Sequence, residues 1–106
     1  MIKIDYQSIN KDQSIIALLE TLENKIDINE FIIEDNWIAD LCAIGIVNLE
    51  RKQLIYISTY RKEKGIYYVE LENINIGEKK EFKTIRKYEN VDIETLEKLL
   101  KNHLKI

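Results

Sequence analysis

The chain has 106 residues, of which 45% are hydrophobic and 33% charged, with no proline and a single cysteine. This length fits one domain spanning residues 1–106, and the composition is typical of a globular protein and excludes a disordered one. One cysteine excludes an intramolecular disulfide, and no apolar run approaches the roughly 18 residues of a membrane span. The N-terminus also lacks the pattern of a secretory signal peptide, so we expect a cytoplasmic protein.

The net charge of −3 is unevenly distributed along the chain. Residues 1–50 carry three bases against ten acids, a net −7, whereas residues 51–106 carry thirteen bases against nine acids, a net +4. Such a division indicates an acidic surface for a basic partner, unless the charges interleave in the folded protein and only solvate it. The sequence leaves both interpretations open.

The first elements are a short strand and a helix. Alternating apolar residues over 2–6 allow a strand, and residues 12–25 predict a helix that Asp12 or Ser14 can cap. An apolar stripe at helical spacing predicts that one side of this helix faces the core. The stripe consists of Ile15, Leu18, Leu19, Leu22 and Ile26.

The stretch 27–36 is ambiguous, because a strand over residues 30–34 and a continued helix both fit its apolar positions, with a loop at its end. Residues 41–47 are apolar in both phases of the alternation, which predicts a central strand covered on both faces. Gly45 in this strand indicates a bulge or a close approach of the backbone to another group. We interpret Cys42 as a small buried hydrophobic residue rather than a reactive thiol.

Two further strands are predicted over residues 54–60 and 66–72, joined by a short loop that ends at Gly65. One face of the second strand is the better candidate for contact with the core, and it consists of Tyr67, Val69 and Leu71. Residues 73–78 predict a connection. Residues 79–87 predict a basic strand that is bulged or lies at an exposed edge, where lysines discourage aggregation.

The last helix begins after Asp92, a good N-cap, and Val91 and Leu96 predict a hydrophobic staple across its first turn. Its apolar stripe consists of Ile93, Leu96, Leu99, Leu100 and His103 or Leu104. The order of elements predicts an α+β fold, in which an antiparallel meander sheet of four to five strands carries an N-terminal and a C-terminal helix on it.

Residues able to do chemistry are scarce. His103 is the single histidine, and nothing in its spacing from Cys42 suggests a nucleophile and its base. No Cys or His pair suggests a metal site, and the three isolated glycines form no phosphate-binding loop. We therefore expect a protein that is not an enzyme, with no catalytic residue, metal or cofactor.

A nucleic-acid binder is one alternative, because basic residues cluster at the ends of one hairpin and on the basic strand, and tyrosines lie between them. The overall acidity of the chain, with a pI of about 5.2, argues against this function. The basic residues are Arg51, Lys52, Arg61, Lys62, Lys64, Lys79, Lys80, Lys83, Arg86 and Lys87. A structural or adaptor subunit, including a homodimer formed through the sheet, is a second alternative.

Protein binding is the leading hypothesis. Tryptophan and tyrosine concentrate the energy of protein interfaces, and here the single tryptophan lies inside an acidic run. An acidic patch around an aromatic anchor suits a basic partner and accelerates its association. The predicted partner-binding residues are Glu30, Glu34, Asp35, Trp37 and Asp40. The alternative for Trp37 is a core position at the start of a strand.

The segments Trp-Ile-Ala-Asp-Leu (37–41), Leu-Ile-Tyr-Ile-Ser-Thr-Tyr (54–60) and Gly-Ile-Tyr-Tyr-Val-Glu-Leu-Glu (65–72), followed by a Leu-rich closing helix, carry a resemblance. Over about residues 37–105 the chain resembles bacterial immunity proteins of contact-dependent growth inhibition and related polymorphic toxin systems. This resemblance implies a cytoplasmic toxin inhibitor that binds one cognate toxin domain, such as a nuclease with a basic surface, through a protein–protein interaction.

Overall fold

The structure, a computed structural model, describes residues 9–35, 37, 39–77 and 79–106. The strand predicted over residues 2–6 lies outside the described residues. The elements in chain order are α1 (Gln13–Glu23), a one-turn 3₁₀ helix (Ile28–Glu30), β1 (Phe31–Glu34), β2 (Ala43–Asn48), β3 (Gln53–Ser58), β4 (Ile66–Ile76), β5 (Lys80–Asp92) and α2 (Ile93–Leu104). The five strands form one sheet in the order β1-β2-β3-β4-β5, and every neighbouring pair is antiparallel. The predicted α+β meander with two packed helices is thus confirmed.

Both helices begin at the predicted caps. The Asp12 side chain accepts a hydrogen bond from the Ser14 backbone N–H at 3.0 Å, and the Asp92 side chain accepts one from Thr95 N–H at 2.8 Å. The pKa of Asp12 is lowered first by the Ser14 hydroxyl, which donates a second bond to the carboxylate at 2.6 Å, and then by the Ser14 N–H, and the pKa of Asp92 is lowered mainly by the Thr95 N–H. Val91 and Leu96, the predicted staple, are both buried.

One face of the sheet and the two apolar helix stripes form the main core. The five stripe residues predicted for α1 are all buried, and so are Leu96, Leu100 and Leu104 of α2. The sheet contributes alternate positions of each strand, including the predicted Tyr67 and Val69, with Leu71 packed partly buried against them. Burial of large aliphatic side chains stabilises the fold by roughly 1.5–3 kcal/mol for each of them. The helices therefore occupy one side of the sheet.

Within the ambiguous stretch, the described residues 27–35 contain the 3₁₀ turn followed by β1, so the strand alternative is correct; residue 36 lies outside the described residues. The central strand is fully buried along Ala43–Asn48, as predicted, but it begins later than residue 41. The Asp40 side chain accepts a hydrogen bond from Cys42 N–H at 3.0 Å and holds a turn just before the strand. Because of this turn Cys42 is only half-buried, and the prediction of a buried residue was wrong.

The prediction of a connection over residues 73–78 was also wrong, because β4 continues to Ile76. Its end pairs with β5, where Ile74 lies opposite Phe82 and Ile76 opposite Lys80. Asn73 and Asn75 are of a type common in turns, yet Ile74 and Ile76 alternate with them and keep a strand period. β5 is an exposed edge strand and is also bulged, as predicted. Ile85 is the extra residue, because Thr84 and Arg86 lie opposite the adjacent Glu72 and Leu71.

Candidate protein-binding surface

Three of the five predicted partner-binding residues meet around the amine of Lys11, just before α1. Lys11 Nζ lies 2.8 Å from Asp35 Oδ1 and donates hydrogen bonds to the backbone oxygens of Trp37 at 2.9 Å and Asp40 at 2.7 Å. The Lys11 side chain is 0% exposed. A buried ammonium group with three oxygen partners fixes the loop between β1 and β2 to the start of α1. We call this group of contacts the lysine clamp.

The other two predicted residues lie apart from the clamp. Glu34 pairs with Arg51 in the turn between β2 and β3, and its side chain is mostly buried. Glu30 is exposed at the end of the 3₁₀ helix. The carboxylates of Glu34, Asp35 and Asp40 all have partners within the chain, which leaves less charge for an external partner than the sequence suggests. Their role in partner binding stays a prediction.

The second face of the sheet, which we call the outer face, carries a smaller apolar cluster to which neither helix contributes. Two rows of directly opposed residues cross it. One row runs Glu34, Gly45, Tyr56, Glu70 and Lys87, and the next runs Ile32, Val47, Leu54, Glu72 and Thr84. Since opposed residues on neighbouring strands share a face, acidic and aromatic groups converge here beside a buried aliphatic patch.

Three aromatic side chains form a continuous row on the outer face. The ring centroids of Trp37 and Tyr56 are 5.0 Å apart with an interplanar angle of 62°, and those of Tyr56 and Tyr68 are 6.2 Å apart at 76°. Edge-to-face contacts of this kind fix the rings relative to one another. All three are half-buried, so each keeps surface for a partner. We call these residues the aromatic row.

Gly45 makes room for the first ring of this row. A Cβ atom at Gly45 would lie 2.6 Å from Cζ3 of Trp37 and 3.0 Å from the backbone oxygen of Glu34. The predicted close approach is therefore confirmed, with the indole ring as the neighbour. No bulge occurs, because the pairing of Gly45 with both neighbouring strands is in regular register. The indole can approach the strand this closely only where a side chain is missing.

Glu72 is the unusual group beside the aromatic row. It is 8% exposed, and no lysine or arginine of the described chain pairs with its carboxylate. Burial, and secondarily the charge of Glu70, raise the pKa of Glu72. Glu70 itself has Lys87 at 3.8 Å. A desolvated carboxylate without a cation is costly, and a cation from outside would relieve that cost.

The phenol groups of the row stay protonated at neutral pH. Burial raises the pKa of both Tyr56 and Tyr68, and in Tyr68 the charge of Glu70 adds to it. Each therefore offers a hydroxyl that donates and accepts hydrogen bonds. A surface of tyrosine hydroxyls, an indole and carboxylates suits polar and cationic groups of another protein.

Replacing Glu72 by glutamine tests its burial. We expect E72Q to raise the free energy of unfolding at neutral pH by about 1 kcal/mol, because it removes an unpaired charge while keeping the shape. The folded-state pKa of Glu72 is raised, so the protonated carboxyl is compatible with burial and the ionised one is not. Below the unfolded-state pKa the group therefore costs no stability, and the cost grows as the pH rises through the folded-state pKa. The gain should therefore shrink on acidification, as urea unfolding at several pH values would show. An unchanged gain in acid would contradict this.

His103 lies near the same strand but on the side of the helices. Its Nε2 is 2.9 Å from the backbone oxygen of Glu72, so α2 is tied to β4 by this half-buried ring. Of the two residues predicted for the last stripe position, Leu104 is the buried one, and His103 lies at its flank. In the described part of the chain, no three histidine, cysteine or acidic residues lie close enough to hold a metal ion together.

The sequence did not single out Tyr56, Tyr68, Glu70 and Glu72 as one surface. The alternation along residues 66–72 does place Tyr68, Glu70 and Glu72 on the face opposite Tyr67, Val69 and Leu71, and this pattern was the one sequence signal for the surface. The burial of Glu72 could not be predicted from the sequence, because it depends on neighbouring residues of β3 and β5. The sequence did predict that Trp37 lies in a partner surface, and the structure places it at one end of the aromatic row.

Neither helix within the described residues is long and apolar enough to cross a membrane. A scan against protein-family models and searches of curated proteins and of solved structures found no match to this chain. The chemistry of the outer face is consequently the main basis for assigning a function.

Proposed function

We propose that this protein is a non-enzymatic binding module that uses its outer face to hold a basic surface of another protein. The observation that carries the proposal is Glu72, a carboxylate that is almost buried and lacks a cation in the described chain, beside a row of three aromatic rings. An arginine or lysine of a partner would supply the missing charge. The rings would supply contact area around it.

The aromatic row has the properties of an interface centre. Truncation of central tyrosine and tryptophan residues costs about 2 kcal/mol or more at many interfaces, because they bury large rigid surfaces. Here the rings are already held by contacts with one another and by the sheet beneath, so binding would order few side chains. Val47, Leu54 and Ile74 provide a buried apolar floor next to them. Such a preformed surface supports tight binding by a chain of this size.

The partner class follows from the resemblance to bacterial immunity proteins. We propose that the partner is a cognate toxin domain, such as a nuclease, whose substrate-binding surface is basic. Occupying that surface with the carboxylates of Glu70 and Glu72 would exclude a polyanionic substrate from it. The protein would then act in the cytoplasm of the bacterium that makes it, and would need no catalytic residue or cofactor.

A homodimer formed through the outer face is the competing arrangement. It would bring the Glu70 and Glu72 carboxylates of one copy close to those of the other about a twofold axis. Like charges in a desolvated interface are unfavourable, and no base of the outer face other than Lys87 lies opposite these residues. The charge layout therefore favours a different, basic protein.

Co-expression with the toxin domain encoded beside this protein tests the proposal. The wild-type chain should restore growth and bind the toxin domain in a calorimetric titration. We expect Y56A and E72Q each to weaken binding by about tenfold or more, the effect of losing an interface centre. Matched controls are Y60A, which changes an exposed tyrosine outside the aromatic row, and E94Q, which changes an exposed glutamate on α2.

E72Q is informative because it should stabilise the chain while weakening the complex, so loss of folding cannot explain the result. Equal affinities for E72Q, Y56A and their controls would remove the outer face from the function. Failure of the wild-type chain to bind or protect against the neighbouring toxin domain, or the absence of such a domain, would refute the toxin-inhibitor function.

A further inference from the structure

The free edge of β5 is a second exposed surface, separate from the aromatic row. β5 is the last strand of the sheet, so its outer backbone groups have no neighbouring strand among the described residues. Residues 80–87 are all exposed. Over Lys80–Thr84 the pairing with β4 is regular, and the bulge at Ile85 ends this stretch. The edge therefore offers five consecutive residues in extended geometry, about 17 Å of strand.

The first three residues of this stretch, Lys80–Phe82, also project beyond the third strand of the sheet. β3 pairs with β4 only as far as Asn73, whereas the pairing of β4 with β5 continues to Ile76 and Lys80. The end of the hairpin is consequently a two-stranded ribbon. Ribbons of two strands are marginally stable alone, and a third strand adds pairing and packing to them.

The side chains along the edge combine positive charge with apolar surface. Residues 80–87 carry four bases, Lys80, Lys83, Arg86 and Lys87, against the single acid Glu81. Phe82 and Ile85 are 42% and 54% exposed, and Lys80 Nζ lies 5.3 Å from the centroid of the Phe82 ring. Lysines alone would serve to block unwanted pairing at an edge. Exposed phenylalanine and isoleucine beside them do not serve that purpose and offer contact area.

We propose that the Lys80–Thr84 edge binds an extended acidic polypeptide segment as an added strand. Backbone pairing would hold the segment, and Lys80 and Lys83 would contact acidic side chains on its two faces. A second copy of β5 does not fit, since it would place two basic edges side by side. A single-stranded nucleic acid lacks the alternating amide groups that continue a sheet, and it needs stacked aromatic residues, of which this edge exposes only Phe82 among the described residues.

Synthetic probes test this inference with the intact chain. The first probe is a fluorescent peptide of alternating glutamate and valine, and its counterpart has lysine in place of glutamate. A third peptide is acidic but N-methylated at four consecutive central residues, which removes donors from both of its edges. Oligothymidylate is the fourth probe. Fluorescence anisotropy measures affinity, and amide chemical shifts of the isotope-labelled protein locate the site.

We expect the acidic peptide to bind about tenfold more tightly than the basic or the N-methylated one, with shifts centred on Lys80–Thr84. The double variant K80E/K83E should lose this binding, whereas K98E, an exposed control on α2, should keep it. Equal binding of the N-methylated peptide would show that charge alone acts and would overturn strand addition. No saturable binding of the acidic peptide, or tighter binding of oligothymidylate, would overturn the choice of partner. None of these outcomes depends on the aromatic row or on Glu72.

Discussion

The substitution K11M is expected to lower the free energy of unfolding by about 3 kcal/mol, because it removes a buried ammonium group and with it one ion pair and two charge-assisted hydrogen bonds. Methionine has nearly the length of lysine and keeps the packing of the stem, so the loss isolates the charge and its hydrogen bonds. Asp35 would lose its cation, and the backbone oxygens of Trp37 and Asp40 would each lose the bond from Nζ and keep only a backbone N–H donor. Urea unfolding followed by circular dichroism measures the change.

Lys25 provides the matched control for this substitution. Lys25 Nζ lies 3.6 Å from Glu97 Oε1, and its side chain is 33% exposed, so this ion pair is partly solvated. We expect K25M to cost less than about 1 kcal/mol, as is usual for exposed ion pairs. If K11M cost no more than K25M, the lysine clamp would not hold the loop as described.

The second large effect is expected for G45A, which should lower the free energy of unfolding by about 2 kcal/mol through overpacking. The new methyl group would overlap the indole of Trp37 and crowd the backbone oxygen of Glu34. The indole would have to leave its position against the sheet and give up its contact with Tyr56. Tryptophan fluorescence should therefore shift to longer wavelength together with the loss of stability.

A double-mutant cycle separates this clash from a general effect of adding a methyl group. In the W37A background the indole is absent, so G45A should cost much less than in the wild-type chain. G77A is the control, because a Cβ atom at Gly77 meets nothing within 4 Å. An equal cost of G45A with and without Trp37 would contradict the proposed contact.

The lysine clamp and Gly45 both position Trp37. Lys11 holds the backbone oxygen of Trp37 from the side of α1, and Gly45 leaves space for the ring on the outer face. Trp37 in turn lies against Tyr56 at the end of the aromatic row. Both substitutions should for this reason also weaken binding at the outer face.

Local sequence signals were sufficient for the helices and for most of the sheet. The caps Asp12 and Asp92 and the apolar stripes depend on residues within a few positions of one another, so their pattern is visible in the chain. The end of β4 was missed because asparagine is common in turns, and its pairing partner lies across the hairpin in β5. Strand ends are set by such partners as much as by local preference.

The candidate surface was harder to predict, because it depends on contacts between distant parts of the chain. Lys11 is a single base far from the acidic run in sequence, and only the fold brings it to Asp35. The sequence consequently overstates how many carboxylates around Trp37 are free to contact a partner, since Glu34, Asp35 and Asp40 have partners within the chain. Conversely, the sequence gives no sign that the Glu72 side chain is buried, because its burial depends on residues of the neighbouring strands.

The most direct test of the central proposal is to locate the binding surface in a complex with the proposed partner, a toxin domain encoded by a neighbouring gene. Amide chemical shifts of the isotope-labelled chain should be recorded during titration with the unlabelled toxin domain. If the toxin domain binds the outer face, the shift changes should cluster at Tyr56, Tyr68, Glu70 and Glu72, and the exposed residues of α1 and α2 should change little. Shifts confined to the helices, with the aromatic row unchanged, would contradict it.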